Sequence, residues 1–410
     1  MWSMLKVIYN MISRRKHNFF SVFFAAILFC SFAYADMAQV TPVPSNPAAA
    51  LQLPTGFKAN VFAKLSPAGG DYFRGPRFMA FSPQGDLYLT LGFDNKVVIL
   101  PDRNHDGVAD EVATVAEHLN APQGLAFVGD RLLVANQDGV VEVRKNGVQA
   151  FIGKLPDGGH TLKSLKLAPD GFLYLSVGSS CNVCDEFNPL RATLLRYSTD
   201  GKPAGALTTL GRHSPNPIWA TGLRNAQGFA WHPVTGEMYA SNAGADMRAD
   251  KKGGNALDDL PPEHLNIIKA GANYGWPYCW GNGVNDPNFA ADAKFCEKMQ
   301  NPAITLPAHS TPIGLTFLDK TNFPLEYQSD MLVALHGSWN RQQPTGYKIV
   351  RVHFAQNKPV AVSDFMTGWL SASGAWGRPV DVAVSPDGAV YVSDDRAGMI
   401  YRVIYQGEAK

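Results

Sequence analysis

The chain has 410 residues and a formal net charge of +1, and 17% of its residues are charged. A charge this close to neutral, with no basic stripe in the sequence, argues against nucleic acid as the main partner. The 38 glycines and 28 prolines, in a chain that is 46% hydrophobic, favour a turn-rich, mostly β fold over a helical one.

Residues 1–35 have the three parts of a signal peptide. The basic part contains Lys6, Arg14, Arg15 and Lys16. An uncharged apolar run, 19–32, follows it, and Ala33-Tyr34-Ala35 gives the small-x-small pattern that signal peptidase reads. The run is shorter than the ~20 residues of a membrane span, so we expect cleavage after Ala35, with an uncleaved anchor as the alternative. The mature chain would then be periplasmic or secreted, without a membrane span.

A short motif recurs six times after a Pro/Ala-rich linker, residues 36–53, which we expect to be loose over Thr41 to Ala50. Each copy is an apolar strand, a tight turn and a second strand. Turns such as Pro-Asp-Gly suit hairpins because Gly accepts a positive φ, and the flanking residues alternate with period two. The copies begin at Phe78, Gly124, Leu165, Gly228, Gly314 and Val382.

Six such units predict a single domain over residues 54–410, an all-β, six-bladed β-propeller of four-stranded antiparallel blades. Propellers usually close when one chain end completes the blade begun by the other. Residues 56–63 therefore predict the closing strand for the blade of residues 382–405. A two-sheet sandwich is the alternative fold.

Four cysteines follow the predicted cleavage site: Cys181, Cys184, Cys279 and Cys296. An even number in an exported chain favours disulfides, most simply Cys181–Cys184 and Cys279–Cys296. A redox or metal motif is the alternative for Cys181-Asn-Val-Cys184. The sequence contains no second Cys-x-x-Cys, so structural disulfides are the favoured interpretation.

One strand entrance is unusually polar, because Arg224, Asn225 and Gln227 lie between two glycines. Polar groups in such a place are costly to order unless they have a partner. We therefore predict that this stretch forms the floor of a cofactor site.

Three further polar residues stand at comparable places in other repeats: His160, His336 and Arg378. Because blades surround one axis, these side chains should converge on it together with Arg224. His160 can act as a base for an alcohol proton, and Arg224 can stabilise a developing oxyanion. A structural histidine and a plain ion-pairing arginine are the alternatives.

Residues 102–110 match the first part of a calcium-binding loop, with Gly107 at relative position 6. Oxygen side chains occupy relative positions 1, 3, 5 and 9: Asp102, Asn104, Asp106 and Asp110. The closing Glu is absent, since position 12 is Ala113. The pattern predicts a Ca²⁺ site, and an Asx-rich turn without metal is the alternative.

Three segments together resemble the soluble quinoprotein glucose/sorbosone dehydrogenase family. They are Gly222-Leu-Arg-Asn-Ala-Gln-Gly-Phe-Ala230, Ser241-Asn-Ala-Gly244 and His264-Leu-Asn-Ile-Ile-Lys-Ala-Gly-Ala-Asn-Tyr-Gly-Trp-Pro277. Cys181-Asn-Val-Cys184 and Gly377-Arg-Pro-Val-Asp381 make the sorbosone dehydrogenase-like branch the nearest. That family is a six-bladed propeller that binds pyrroloquinoline quinone (PQQ) and Ca²⁺, so the resemblance implies both cofactors here.

The resemblance also implies roles for single residues. His160 matches the base that removes the substrate hydroxyl proton while hydride passes to the quinone. Arg224 matches the cation that stabilises the reacting oxygen, with Asn225 and Gln227 as its neighbours at the cofactor.

The cofactor's metal and carboxylates are matched by a second group of residues. The backbone carbonyls of Gly244 and Ala245 match ligands of the Ca²⁺, which acts as a Lewis acid. Arg378 matches a ligand of a cofactor carboxylate, a role that suits a bidentate guanidinium.

Three positions depart from the family pattern. His336 stands where glucose-oxidising members have a Lys that contacts the cofactor, Val380 stands in place of a second Arg, and Ala245 replaces a Pro. Fewer cations predict weaker or re-routed PQQ binding, for which Arg341 or Lys348 are candidates to compensate.

These observations predict a periplasmic quinoprotein dehydrogenase that oxidises an aldose, or a sorbosone-type aldehyde, to a lactone or acid. Electrons would leave to a quinone or a cytochrome, since the sequence has no Cys-x-x-Cys-His haem-attachment motif. Two alternatives stay open: a Ca²⁺-dependent lactonase on a related propeller, and a non-catalytic propeller that binds a partner.

Overall fold

A computed structural model of the chain describes residues 39–65, 75–206, 216–289 and 294–407. The signal peptide predicted for residues 1–35 lies outside the described residues. No helix within these four ranges is long and apolar enough to cross a membrane.

Regular structure in these ranges is almost entirely β. The three 3-10 turns are Ala48–Ala50, Cys296–Lys298 and Leu325–Tyr327. The strands, in chain order, are β1 (Phe57–Lys64), β2 (Pro76–Phe81), β3 (Leu87–Leu91), β4 (Lys96–Leu100), β5 (Ala113–Ala116), β6 (Leu125–Val128), β7 (Arg131–Asn136), β8 (Gly139–Arg144), β9 (Gly147–Ile152), β10 (Leu165–Leu167), β11 (Leu173–Val177), β12 (Thr193–Tyr197), β13 (Ile218–Thr221), β14 (Ala226–Trp231), β15 (Met238–Asn242), β16 (Glu263–Ile268), β17 (Cys279–Trp280), β18 (Val284–Asn285), β19 (Ile304–Leu306), β20 (Pro312–Phe317), β21 (Met331–Leu335), β22 (Lys348–Ala355), β23 (Lys358–Met366), β24 (Leu370–Ser371), β25 (Gly374–Ala375), β26 (Pro379–Val384), β27 (Val390–Asp394) and β28 (Met399–Tyr405).

Six four-stranded antiparallel sheets form the blades, which confirms the predicted six-bladed propeller. Blades one, two and three are β2–β5, β6–β9 and β10–β13. Blade four is β14, β15, β16 and β19; blade five is β20–β23; and blade six is β26, β27, β28 and β1. Two small hairpins, β17–β18 and β24–β25, lie outside the blades.

The two chain ends close the ring, as the sequence predicted. β1 pairs antiparallel with β28, with Phe57 opposite Tyr405. The Phe57 ring packs edge-on against Phe323 and Phe365 of blade five, with centroids 4.7 and 5.2 Å away. The closing strand is therefore held by backbone pairing and by an aromatic cluster between two blades.

The segment before β1, which the sequence predicted to be loose, lies against the propeller in the described residues 39–53. The N–H of Gln52 donates to the Thr367 carbonyl (2.9 Å), and that of Thr41 donates to the Ala375 carbonyl (3.1 Å). Leu51 is buried. The composition is that of a linker, but these backbone bonds attach the segment to the connection between blades five and six.

The first strand of each blade lines the axis, where neighbouring strands approach closely. A Cβ atom on Gly228 would lie 2.0 Å from the Ile313 carbonyl oxygen, and one on Gly314 would lie 2.0 Å from an Asp381 carboxylate oxygen. Only glycine fits at such distances. The glycines that open two of the repeated motifs are thus explained by packing around the axis.

Hydroxyl groups on second strands link successive blades. Ser241 of β15 accepts a hydrogen bond from the Gly228 N–H (3.0 Å) and donates to the Ile313 carbonyl of blade five (2.7 Å). The accepting hydroxyl covers an N–H that is exposed by a register shift between Ala226 and Phe229, as β-bulges leave ladder groups unpaired.

The same arrangement recurs in other blades. Thr90 accepts from the Phe78 N–H (3.1 Å) and donates to the Gln123 carbonyl of blade two (2.9 Å). Ser393 donates to the Arg77 carbonyl (2.6 Å), so it joins blade six to blade one across the closure. These buried hydroxyls fix where neighbouring inner strands begin.

We predict that Ser241→Ala lowers the free energy of unfolding by about 1–3 kcal/mol, because it leaves a buried N–H and a buried carbonyl without their partner. Urea unfolding of the mature chain measures the loss. Ser373→Ala, which removes an exposed hydroxyl from the β24–β25 turn, is the matched control and should change little. Equal stability of the two variants would contradict the linking role.

Candidate active site

Polar side chains meet at one end of the propeller axis. We call this group of side chains the axial site. First strands begin and second strands end there, because the two are antiparallel neighbours in each blade. The residues predicted to converge stand at these points: His160 before β10, Arg224 before β14, His336 after β21 and Arg378 before β26. Hydrogen bonds between blades link them, as the following contacts show.

The tautomer of His160 is fixed by its neighbours. Its Nδ1 lies 2.8 Å from Ser179 Oγ and 3.2 Å from the Ser179 carbonyl oxygen. The Ser179 hydroxyl donates its single proton to the Cys181 carbonyl (2.7 Å), and a carbonyl can only accept. Nδ1 must therefore carry the proton, which leaves Nε2 with a lone pair, the state that a general base needs.

Burial and charge keep the His160 imidazole neutral. Burial lowers its pKa to about 4, and the positive charge of Arg224 acts in the same direction. The Ser179 carbonyl and the carboxylate of Asp246 oppose this shift without reversing it. The imidazole is thus neutral throughout the neutral pH range, with Nε2 unprotonated.

Arg224 is buried and rigidly held. Its Nε donates to the Asn182 carbonyl (3.1 Å), and its Nη2 donates to Asn182 Oδ1 (2.9 Å) and to Asp246 Oδ2 (2.7 Å). The Arg224 carbonyl accepts a bond from the Ser179 N–H (2.8 Å). Base and arginine therefore share Ser179, which joins blade three to blade four.

Asp246 balances the charge of Arg224 and reaches blade five. Its Oδ1 accepts from Asn340 Nδ2 (3.0 Å) and lies 3.7 Å from His309 Nδ1. Burial opposes its ionisation, but the nearby His309 and the hydrogen bond and charge of Arg224 outweigh burial and lower its pKa. Asp246 is therefore an anion that pairs with Arg224 at neutral pH.

Asn225 and Gln227 lie on either side of the start of β14. The Asn225 N–H donates to Asn242 Oδ1 (3.0 Å), and its side chain packs against Gly178 beside His160. Gln227 is buried, and its Oε1 has no hydrogen-bond partner in the described part of the chain. Such an atom costs about 1–3 kcal/mol unless a ligand or water meets it, which fits the predicted contact with a bound group.

The backbone at Gly244 and Ala245 offers oxygen ligands. No described residue donates a hydrogen bond to either carbonyl, although Ala245 is buried. A cavity of about 20 Å³ borders both residues and Arg224, which is room for one water molecule or ion. Backbone carbonyl oxygens are ligands that suit Ca²⁺.

Glu263 holds the backbone at Gly244 in place. Its Oε2 accepts a hydrogen bond from the Gly244 N–H (2.5 Å), and its Oε1 accepts from the Thr311 N–H (3.2 Å). Burial raises the pKa of Glu263 to about 7, while both backbone bonds favour its anion. A cation at the neighbouring carbonyls would favour the ionised form further.

His336 and Arg378 form a second group with two residues that were not predicted. His336 Nε2 lies 3.0 Å from both carboxylate oxygens of Asp395, and Arg77 Nη1 donates to Asp395 Oδ2 (2.7 Å). Arg378 Nε donates to the His336 carbonyl (3.0 Å) and Nη2 to the Gly337 carbonyl. Burial and the charge of Arg378 lower the pKa of His336 to about 4, so it is a neutral group.

The two cations considered as substitutes are engaged elsewhere. Arg341 donates to the Asp258 carbonyl (2.8 Å) and pairs with Asp259 (2.8 Å). Lys348 pairs with Asp364 (2.6 Å) on the outer edge of blade five. A cation at the axis that was not predicted is Arg77. Val380, in place of a second arginine, is fully buried.

The loop at residues 102–110 has the bonds of an Asx turn. The Asp106 N–H donates to Asp102 Oδ1 (3.1 Å) and to Asn104 Oδ1 (3.1 Å), and Asp110 Oδ2 accepts from the Arg103 N–H (2.7 Å). The carboxylates of this loop do not form a three-ligand cluster among the described residues. A Ca²⁺ here stays a prediction.

Both predicted disulfides are confirmed: Cys181 is bonded to Cys184, and Cys279 to Cys296. The first lies in the connection that carries Ser179 and Asn182. Cys181-Asn-Val-Cys184 is therefore a closed disulfide loop beside His160 and Arg224.

Several residues of the axial site have no assignment from the sequence: Arg77, Asn182, Asp246, His309, Asn340 and Asp395. Arg77 had a usable signal, since it stands just before the first repeat, as Arg224 and Arg378 stand before two others. The remaining residues come from connections whose mutual approach local sequence does not encode.

The fold and this cluster place the chain among six-bladed propellers with a polar site on the axis. Residues 54–406 match the TrAA12-like family, and the chain belongs to that family.

Individual relatives span much of the chain. An uncharacterised protein of Borreliella burgdorferi is 26% identical over 380 residues, which cover 90% of this chain and 95% of that one. The aldose sugar dehydrogenase YliI of Escherichia coli is 24% identical over 266 residues, 61% of each chain. Among solved structures, the holo form of the pyranose dehydrogenase PQQ domain from Coprinopsis cinerea has a TM-score of 0.72 at 20% identity, and the match covers 90% of this chain and 100% of that one. The family thus contains relatives of PQQ-dependent sugar oxidoreductases.

We predict that the His160 imidazole titrates with a pKa near 4 in the cofactor-free chain, and that at pH 7 it is neutral with the proton on Nδ1. Two-dimensional ¹H–¹⁵N NMR of histidine-labelled protein measures both. Arg224→Gln should raise this pKa, because it removes a nearby positive charge, and burial should still hold it below 6.5. An imidazolium at pH 6 in the unsubstituted chain would rule out the proposed environment of the base.

Proposed function

We propose that the chain is a PQQ-dependent dehydrogenase that oxidises a pyranose or another aldose. The observation that carries the proposal is the pairing of a neutral His160, whose Nε2 is unprotonated, with the buried and oriented guanidinium of Arg224. A hydroxyl proton can pass to Nε2 while the arginine stabilises the charge that develops on the same oxygen.

The contacts of His160 with Ser179 orient its ring to act as a base. The bond from Nδ1–H to Ser179 orients the ring, so the imidazolium formed by proton uptake stays hydrogen-bonded. A base with a pKa near 4 holds a proton weakly. Negative charge brought into the axial site by a ligand would strengthen it.

Arg224 supplies a donor that needs no rearrangement during the reaction. Its guanidinium donates three hydrogen bonds to Asn182 and Asp246. These bonds fix the orientation of the whole group. Preorganised donors of this kind act most strongly in sites that exclude water, and Arg224 is buried.

The residues present fit the cofactor on the blade-four side. The carbonyls of Gly244 and Ala245 would hold Ca²⁺, and Arg224, Asn225 and Gln227 would contact PQQ. When bound, PQQ would supply a hydride acceptor and Ca²⁺ would supply a Lewis acid. The support in this chain is the pair of carbonyls without donors and the unpartnered amide oxygen of Gln227.

His336 and Arg378 would face the cofactor from the opposite blades. Two donors of Arg378 are bound to backbone carbonyls, so its contribution there is a fixed positive charge, with Arg77 beside it. This arrangement would replace the lysine of glucose-oxidising relatives by neutral His336.

The proposed substrate is a sugar, and the proposed location is the periplasm. Sugar-oxidising relatives support a pyranose, and the sorbosone-like branch adds an aldehyde such as sorbosone as a candidate. Two disulfides suit the oxidising periplasm, where a quinone or a cytochrome would receive the electrons. The carboxylates of Asp246 and Asp395 are each paired with an arginine, an arrangement that favours a dehydrogenase over the carboxylate-lined metal site of a lactonase.

We predict that the mature chain, supplied with PQQ and Ca²⁺, reduces a dye with one or more sugars from a panel of aldoses and sorbosone. His160→Ala should lower kcat by roughly 10²- to 10⁴-fold, because a positioned base contributes that much. PQQ affinity, followed by calorimetry, should change little.

His353→Ala is the control, because His353 lies on β22 and bonds to Ser363 (2.7 Å), away from the axis. It should keep full activity. Failure of the unsubstituted chain to bind PQQ would overturn the proposal, and full activity of His160→Ala would overturn the assignment of the base.

A further inference from the structure

The Cys181–Cys184 disulfide loop contacts both groups to which we assign the chemistry. We infer that Asn182, held by this disulfide, is the residue that positions the Arg224 guanidinium. The inference rests on the proposed function for its kinetic consequence, and on the contacts below for its structural basis.

Asn182 uses nearly all of its hydrogen-bonding capacity on the axial site. Its carbonyl accepts from Arg224 Nε (3.1 Å) and from Trp276 Nε1 (3.0 Å). Its Oδ1 accepts from Arg224 Nη2 (2.9 Å) and from the Asp246 N–H (2.8 Å), and its Nδ2 donates to the Asp246 carbonyl (2.9 Å). One residue thus holds the arginine at two atoms and the backbone of its counter-ion at two more.

The side chain must be an amide for this pattern. Oδ1 accepts while Nδ2 donates, so aspartate would place a second acceptor against the Asp246 carbonyl. Asn182 is also exposed, and water competes for exposed hydrogen bonds. The hydrogen bonds of Asn182 therefore need a backbone with few alternative conformations.

The disulfide supplies that restriction. It closes the chain across Asn182 and Val183, which limits the conformations that the loop can adopt. The same loop fixes the base, because the Cys181 carbonyl accepts the Ser179 hydroxyl proton that sets the His160 tautomer. A short covalent loop therefore orients the arginine and the histidine together.

Asn182→Ala tests the side chain in the PQQ- and Ca²⁺-loaded chain. We expect kcat to fall about 10- to 100-fold, because a small misplacement of a catalytic group has that effect. KM should change less than about threefold, since the loss falls on the transition state. Asn182→Asp, of equal size, should also lose activity and covers the case in which the alanine variant unfolds.

Asn188→Ala is the matched control. Asn188 is an exposed asparagine of the same connection, and among the described residues its Oδ1 accepts only from the Leu190 N–H (3.0 Å). Its kcat should stay within about twofold of the unsubstituted value, as expected for surface substitutions. Wild-type kcat in both Asn182 variants, or an equal loss in Asn188→Ala, would overturn the inference.

Cys181→Ser with Cys184→Ser tests the disulfide without relying on catalysis. Hydrogen exchange of the Arg224 Nε–H in the cofactor-free chain should become at least about tenfold faster, because the Asn182 carbonyl is no longer held. Unchanged exchange would overturn the role of the disulfide. If the unsubstituted chain oxidises no sugar, the proposed function fails, and this exchange measurement still decides whether the loop positions Arg224.

Discussion

The structure depends on how the first strands of neighbouring blades are joined around the axis. Three hydroxyl groups make these joints, those of Ser241, Thr90 and Ser393. Each accepts a hydrogen bond from an N–H that a bulge leaves unpaired and donates one to a carbonyl of the next blade. A hydroxyl can do both at once, and an apolar residue can do neither. Because these bonds set where each strand begins, they also set the spacing of the side chains just before the strands. The site is assembled by the same contacts that close the ring.

The charged groups at the axis include two arginine–carboxylate pairs. Arg224 with Asp246 lies on the side of blade four, and Arg77 with Asp395 lies between blades six and one. Buried pairs gain little net stability, since desolvation offsets their attraction. What the pairs provide is orientation, because each carboxylate is bound by groups from more than one blade. Asp246, for example, is held by Asn340 of blade five. The surroundings of the base are thus fixed by long-range contacts.

The fold was predictable because its signals are local and repeated. Six hairpin motifs predicted the blades, and the strand at Phe57 and both cysteine pairs were confirmed. His160 and Arg224 stood out because each is a polar residue at a strand entrance. Asn182 and Asn340 gave no such signal, since their partners lie tens of residues away in other blades. Arg341 looked able to serve the axis, yet acidic residues of a nearby loop bind it. Which partner a long cation chooses depends on loop geometry that composition does not reveal.

The pairing of β1 with β28 has a consequence for how the protein is made. A chain emerges from its N-terminus, and domains generally fold as synthesis proceeds, but here the first strand finds its partner only when Met399–Tyr405 has appeared. Arg378 and Asp395 lie just upstream, in the other part of the same blade. A product that stops before residue 378 lacks the strand that closes the ring and also lacks Arg378 and Asp395. Closure of the ring and completion of the axial site therefore both require the last blade.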